Sequence, residues 1–131
     1  MKRMIAACMV LALMVLPALG EAQATPPAGY VRVTAATLSG WLPLPTEGEE
    51  RFPLPQTLPD GTGTLNVLHL TPQSVWMEDA DCENHDCMDQ GEVTLENRWE
   101  RVLGNMIICL PNQVVLELYS AEEYEALLAA Q

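Results

Sequence analysis

Lysine is almost missing from this chain: Lys2 is the only one, and 18 acidic residues face just 6 basic ones. The formal net charge of −12 over 131 residues excludes a phosphate-binding surface, because such a polypeptide repels nucleic-acid backbones and anionic lipid alike. A basic partner or divalent cations would suit it better. Catalytic signatures are missing as well. There is no Gly-rich phosphate loop, no Ser-His-Asp order and no H-E-x-x-H. Carboxylates abound, yet nothing in the pattern sets the pKa values of a pair apart as acid-base work requires. No catalytic residue is therefore assigned, and the chain reads as non-enzymatic. Repeats and Ser- or Gln-rich tracts are also absent, and the length allows one domain.

The chain opens with residues 1–24, MKRMIAACMVLALMVLPALGEAQA, which have the three parts of a secretory signal. Lys2 and Arg3 form a basic start, Met4 to Leu19 is apolar, and Ala22-Gln23-Ala24 is a small-x-small cleavage site. Cleavage after Ala24 would leave Thr25 first, with Gly20 the second choice. Uncleaved, the segment would act as a membrane anchor. Its apolar run is shorter than the roughly 20 residues that span a bilayer, and it ends in Pro17 and Gly20. Cys8 precedes most of the apolar run instead of following it, so the lipobox-like Ile5-Ala6-Ala7-Cys8 is a chance match. Lys2, Arg3 and Glu21 give the removed part +1, so the remainder carries −13 and no lysine.

Beyond a short leader (25–27), brief β-like runs alternate with Pro and Gly breaks. The expected strands are Tyr30–Val33, Leu38–Leu44, Arg51–Leu54, Thr64–Leu70, Ser74–Met77, Met106–Leu110 and Val114–Tyr119. Pro53 and Pro55 allow Arg51–Leu54 only as an edge strand. Asp60-Gly61-Thr62-Gly63 is a turn. Leu65 and Val67 share one face of their strand with His69, and Leu68 and Leu70 share the other. His69 has no partner identifiable from sequence. Met106–Leu110 is continuously apolar and reads as a buried central strand. Leu95–Leu103 fits a helix, a loop or a hairpin. Ser120 with Glu123 forms a capping box that opens a helix within 121–131. These elements predict an all-β fold: a small antiparallel β-sandwich or barrel with a short C-terminal helix.

The richest stretch is Val75-Trp76-Met77-Glu78-Asp79-Ala80-Asp81-Cys82, then Cys87 after four intervening residues, then Gly91. Downstream come Ile107-Ile108-Cys109-Leu110-Pro111-Asn112 and Val114 to Leu118. This combination resembles the NusG domain II family over residues 28–120. The resemblance implies a small β-sandwich or barrel, found both inside some transcription factors and as stand-alone exported proteins. A transcription role does not follow, since fold does not imply function and both the signal and the acidity oppose it. Glu83 stands where the family usually has Pro, and the link from Glu92 to Asn105 is longer than usual.

Three cysteines outlast cleavage: Cys82, Cys87 and Cys109. In an exported domain the expectation is a disulfide from Cys109 to Cys87 or Cys82, a local Cys82–Cys87 bridge remaining open. A Cys87–Cys109 bridge would contribute about 3 kcal/mol in the chain-entropy account. The alternative is a metal or redox site in which Cys82, His85, Cys87 and Cys109 supply the ligand set of zinc. The acidic surroundings disfavour a nucleophilic thiolate. Those acids (Glu78, Asp79, Asp81, Glu83, Asp86, Asp89 and Glu92) fail as a calcium loop: Asn84 stands where Gly is required and Gln90 where the bidentate Glu is. Trp41 and Trp76 are expected in the core, leaving Trp99 as the candidate contact residue. The functional expectation is an exported interaction or accessory module at the cell envelope. No cofactor is assigned, and another envelope protein is the expected partner.

Overall fold

The computed structural model describes residues 24–131; the expected signal segment lies outside them up to residue 23. Strands β1 (Gly29–Ala35), β2 (Ser39–Pro43), β7 (Met106–Cys109) and β8 (Val114–Ser120) form one sheet in the order β2-β1-β8-β7. Strands β3 (Glu50–Thr57), β4 (Gly63–Thr71), β5 (Ser74–Ala80) and β6 (Val93–Thr94) form the second, in that order. Every pairing is antiparallel. Two short helices complete the fold, α1 (Asp86–Asp89) and α2 (Ala121–Ala129). The all-β expectation holds, as two open sheets and not a barrel.

Alternation decides what is buried. Val31 and Val33 of β1, Leu116 and Leu118 of β8, and Ile107 of β7 meet Leu54, Leu68, Leu70, Val75 and Met77 of the other sheet in one core. Each such side chain, fully buried, contributes roughly 1.5–3 kcal/mol, so this aliphatic layer carries the fold. On β4 the inward face is that of Leu68 and Leu70, and Leu65 is left exposed. Pro53 and Pro55 lie on β3, an edge strand as expected, where an absent N–H can face solvent.

The structure corrects two expectations and decides a third between its alternatives. Met106–Cys109 is not central: β7 ends its sheet, and β8 lies between it and β1. Its apolar run reflects packing of Ile107 and Cys109 against the core, not cover on both edges. The exposed edge is capped by one side chain. Gln90 Nε2 donates to the Ile108 carbonyl at 2.7 Å, and Gln90 Oε1 accepts from the Ile108 N–H at 2.8 Å. Leu95–Leu103 is neither helix nor hairpin but a loop with one 3-10 turn at Asn97–Trp99. Trp41 and Trp76 are only half-buried; they pair across strands with Arg32 and His69.

Two polar devices join the layers. Asn112, in the β7–β8 turn, donates to Asn66 Oδ1 (3.0 Å) and Asp81 Oδ1 (2.9 Å), and its carbonyl accepts from Gln56 Nε2 (3.0 Å). Asn66, Gln56 and Asn112 are all buried, so the turn of one sheet is fastened to the strands of the other. The second device docks α2. Ser120 and Glu123 form the expected capping box, and Glu123 also pairs with the buried guanidinium of Arg98. Tyr124 stacks on Tyr30 at 3.8 Å and meets Trp41 edge-on at 4.9 Å. Close approach of β1 to β8 depends on Gly29, where a Cβ would lie 2.5 Å from the Tyr119 carbonyl oxygen.

Candidate functional site

The three cysteines come from three elements. Cys82 follows β5 of the second sheet, Cys87 lies in α1, and Cys109 ends β7 of the first sheet. The segment 81–85 turns sharply because His85 adopts a left-handed backbone, φ 55°. Its carbonyl accepts the N–H groups of Met88 and Asp89, which starts α1 and turns Cys87 inward.

All three sulfurs lie within 4.8 Å of one another and all three residues are buried. Cys82 Sγ and Cys87 Sγ are 3.8 Å apart, as thiols in contact and not at the ~2.05 Å of a disulfide. Cys109 thus lies beside both of its expected partners. Burial pushes the Cys82 and Cys87 thiols upward, and hydrogen bonding with Cys109 adds to the effect in each. Burial and the neighbouring sulfurs, not the acidic setting, are thus what keep Cys82 and Cys87 from thiolate character. His85 does not join it: the side chain is exposed, outside the sulfur cluster. The four-ligand set expected from sequence therefore reduces to three thiols.

Beside the cluster a cavity of about 270 Å³ opens between α1 and the β7–β8 turn, lined by Cys87 and Cys109 and also by Asn84, Asp86, Gln90 and Leu110. Leu103 and Ile108 contribute to the same wall. The cavity is mostly apolar, with its polar groups gathered on the α1 side.

The long loop that leads into β7 forms the neighbouring surface. On it Trp99 is 75% exposed and Val102 fully exposed; Leu110, in the β7–β8 turn, is 79% exposed. The loop is held firmly. Arg101 donates to the carbonyls of Gly104 (2.6 Å), Met106 (2.9 Å) and Gln90 (2.9 Å), and the Arg98 guanidinium lies 4.8 Å from the centre of the Trp99 ring. Both arginines were legible only as departures from the family pattern; their anchoring role depends on carbonyls distant in sequence.

A second polar cluster, missed in the sequence, lies on the outer face of the β3-β4-β5 sheet. His69 stacks on Trp76 at 4.0 Å, with its Nε2 2.7 Å from Glu49 and its Nδ1 3.1 Å from Glu78. Glu78 also pairs with Arg51, the residue opposite His69 on β3. Partial burial alone would lower the His69 pKa, but the two carboxylates outweigh it and raise it above 6.5. These partners come together across strands: Trp76 lies opposite His69, and Glu78, two residues on, shares its face, a register that a linear reading does not foresee.

The model of the NusG domain II family matches residues 4–122, a span that takes in the N-terminal apolar segment as well as the β domain. Among solved structures, a DUF1312 family protein (EF3258) from Enterococcus faecalis V583 is 13% identical, with a TM-score of 0.52 over 71% of this chain and 98% of its own. The Lin0431 protein from Listeria innocua is 14% identical, with a TM-score of 0.51 over 71% and 97%. A DUF1312 family protein from Ruminococcus gnavus ATCC 29149 is 26% identical over 70% and 99%, with a TM-score of 0.42. At these identities the first two likenesses establish the fold alone. No curated protein matches the chain.

Proposed function

This chain belongs to the NusG domain II family, and from that premise we propose that it is an exported, non-enzymatic domain that serves as an interaction or accessory module at the cell envelope. One observation carries the reading: two large apolar side chains, Trp99 and Val102, stand in solvent on one loop, which Arg98 and Arg101 pin to the carbonyls of Leu95 and Gln90. An aromatic residue held rigid in this way loses little entropy on docking, which is the behaviour of an interface anchor. The near-absence of lysine and the net charge of −12 favour a protein partner over nucleic acid or anionic lipid. Among the described residues no helix is long and apolar enough to cross a membrane, so membrane attachment would rest on an uncleaved leader.

The test is made in the producing cell. Intact mass of the recovered chain is expected to begin at Thr25. A photo-crosslinker at position 99 or 102 is expected to join the same envelope protein, whereas one at Pro53, on the edge strand of the other sheet, is not. Trp99→Glu should abolish the crosslink from position 102. Recovery from the cytosol with Met1 attached, or crosslinking indifferent to position, would remove the proposal.

A further inference from the structure

We propose that Cys82, Cys87 and Cys109 form a three-thiolate zinc site whose fourth position opens into the adjoining cavity. This goes beyond the interaction reading and does not depend on it. Zinc bonds sulfur at about 2.3 Å, so two thiolates on a tetrahedral ion stand roughly 3.8 Å apart. Cys82 and Cys87 already have that separation, and the third sulfur is within 4.8 Å of both. The sulfurs therefore need only small movements to enclose an ion.

Three further features point the same way. First, a disulfide would consume two of the sulfurs and leave a third thiol buried beside it, whereas one zinc ion uses all three. Second, the left-handed turn at His85 folds the 82–87 segment back on itself, so that Cys82 and Cys87, five positions apart, both meet a sulfur carried by the other sheet. Third, Cys87 and Cys109 line the cavity together with Asn84, Asp86 and Gln90, so the side of the cluster away from the core is reachable by water or a small donor ligand. Asp86 lines the cavity, and Asp81, Glu83 and Asp89 are exposed on the same segment, a local charge that favours a cation over an anion.

The chemistry balances without an oxidant. Three thiols release three protons to solvent as Zn²⁺ binds, giving a tris-thiolate centre of net charge −1, with a solvent water as fourth ligand. Because the ligands come from both sheets and from α1, the ion would clasp the two layers together.

The experiment uses full mature protein purified without added reductant, assayed for bound metal and free thiols, then titrated with zinc alone. Cobalt(II) serves as the spectroscopic probe. The expected result is one zinc per chain, no disulfide, and an intense thiolate-to-cobalt charge-transfer band. Cys82→Ser should weaken zinc binding at least tenfold and diminish the band. His85→Asn, which tolerates the left-handed backbone, should leave both unchanged. If Cys109→Ser fails to fold, Cys87→Ser and Cys82→Ser still decide the matter. A single free thiol with one disulfide and no metal overturns the assignment, as does a cobalt band that survives in Cys82→Ser.

Discussion

His69 illustrates how much a single side chain depends on its setting. Its ring is stacked on Trp76 and flanked by Glu49 and Glu78, with Arg51 on the far side of Glu78. The folded protein binds the imidazole proton more tightly than the unfolded chain does, because the carboxylates outweigh desolvation. Its contribution to stability is then complete below the unfolded pKa of about 6.5 and is lost as pH rises through the higher folded value. Glu78 works in the opposite direction. Arg51, then His69, lowers its pKa, so its contribution is present above the ordinary carboxylate range and is lost as pH falls. Urea midpoints measured from below 6.5 upward are expected to decline in the wild type, and His69→Gln should flatten that decline. An unchanged slope in the variant would mean that the proton is held elsewhere.

At the scale of elements, the instructive case is β7. Four apolar residues in succession, Met106 to Cys109, looked like a strand covered on both edges, but such a run cannot distinguish a central strand from an edge strand with a cap. The cap is an amide 18 residues away that imitates a neighbouring peptide, and no local pattern announces it. Gln90→Ala should cost about 1–3 kcal/mol, since it leaves a partly buried N–H and carbonyl without partners. It should also accelerate hydrogen exchange at the Ile108 amide and promote edge-to-edge association. Other elements were more legible. Alternation located β1, β4, β5 and β8, paired prolines marked β3 as an edge, and Ser120 with Glu123 announced α2. Strand β6, two residues long, has no period to read. The three cysteines were recognisable as a set. Exclusion of His85 was not, because it follows from one backbone angle.

For the whole molecule, the question is what keeps two open sheets in register. The core is aliphatic and largely indifferent to small slips, whereas Asn112 is not. Its side chain satisfies Asn66, which is wholly buried, and reaches Asp81 next to Cys82. Asn112→Ala should destabilise the domain by about 1–3 kcal/mol, because the Asn66 oxygen would be left buried and unpaired. Chemical denaturation followed by tryptophan emission and by far-UV dichroism should still give coincident transitions, since the sheets share one core. Separate transitions would show that the sheets unfold independently and that the contact is incidental.

The pairing of β1 with β8 has a consequence for when this fold can exist. Val31 lies opposite Leu118, and Val33 opposite Leu116, although 87 and 83 positions separate them along the chain. One edge of this first strand must wait for nearly the last strand to be made. Closing so long a loop is slow, and a nascent polypeptide lacking Val114 onward has no partner for that edge. The β2-β1-β8-β7 sheet can therefore close only after almost the whole polypeptide has been made.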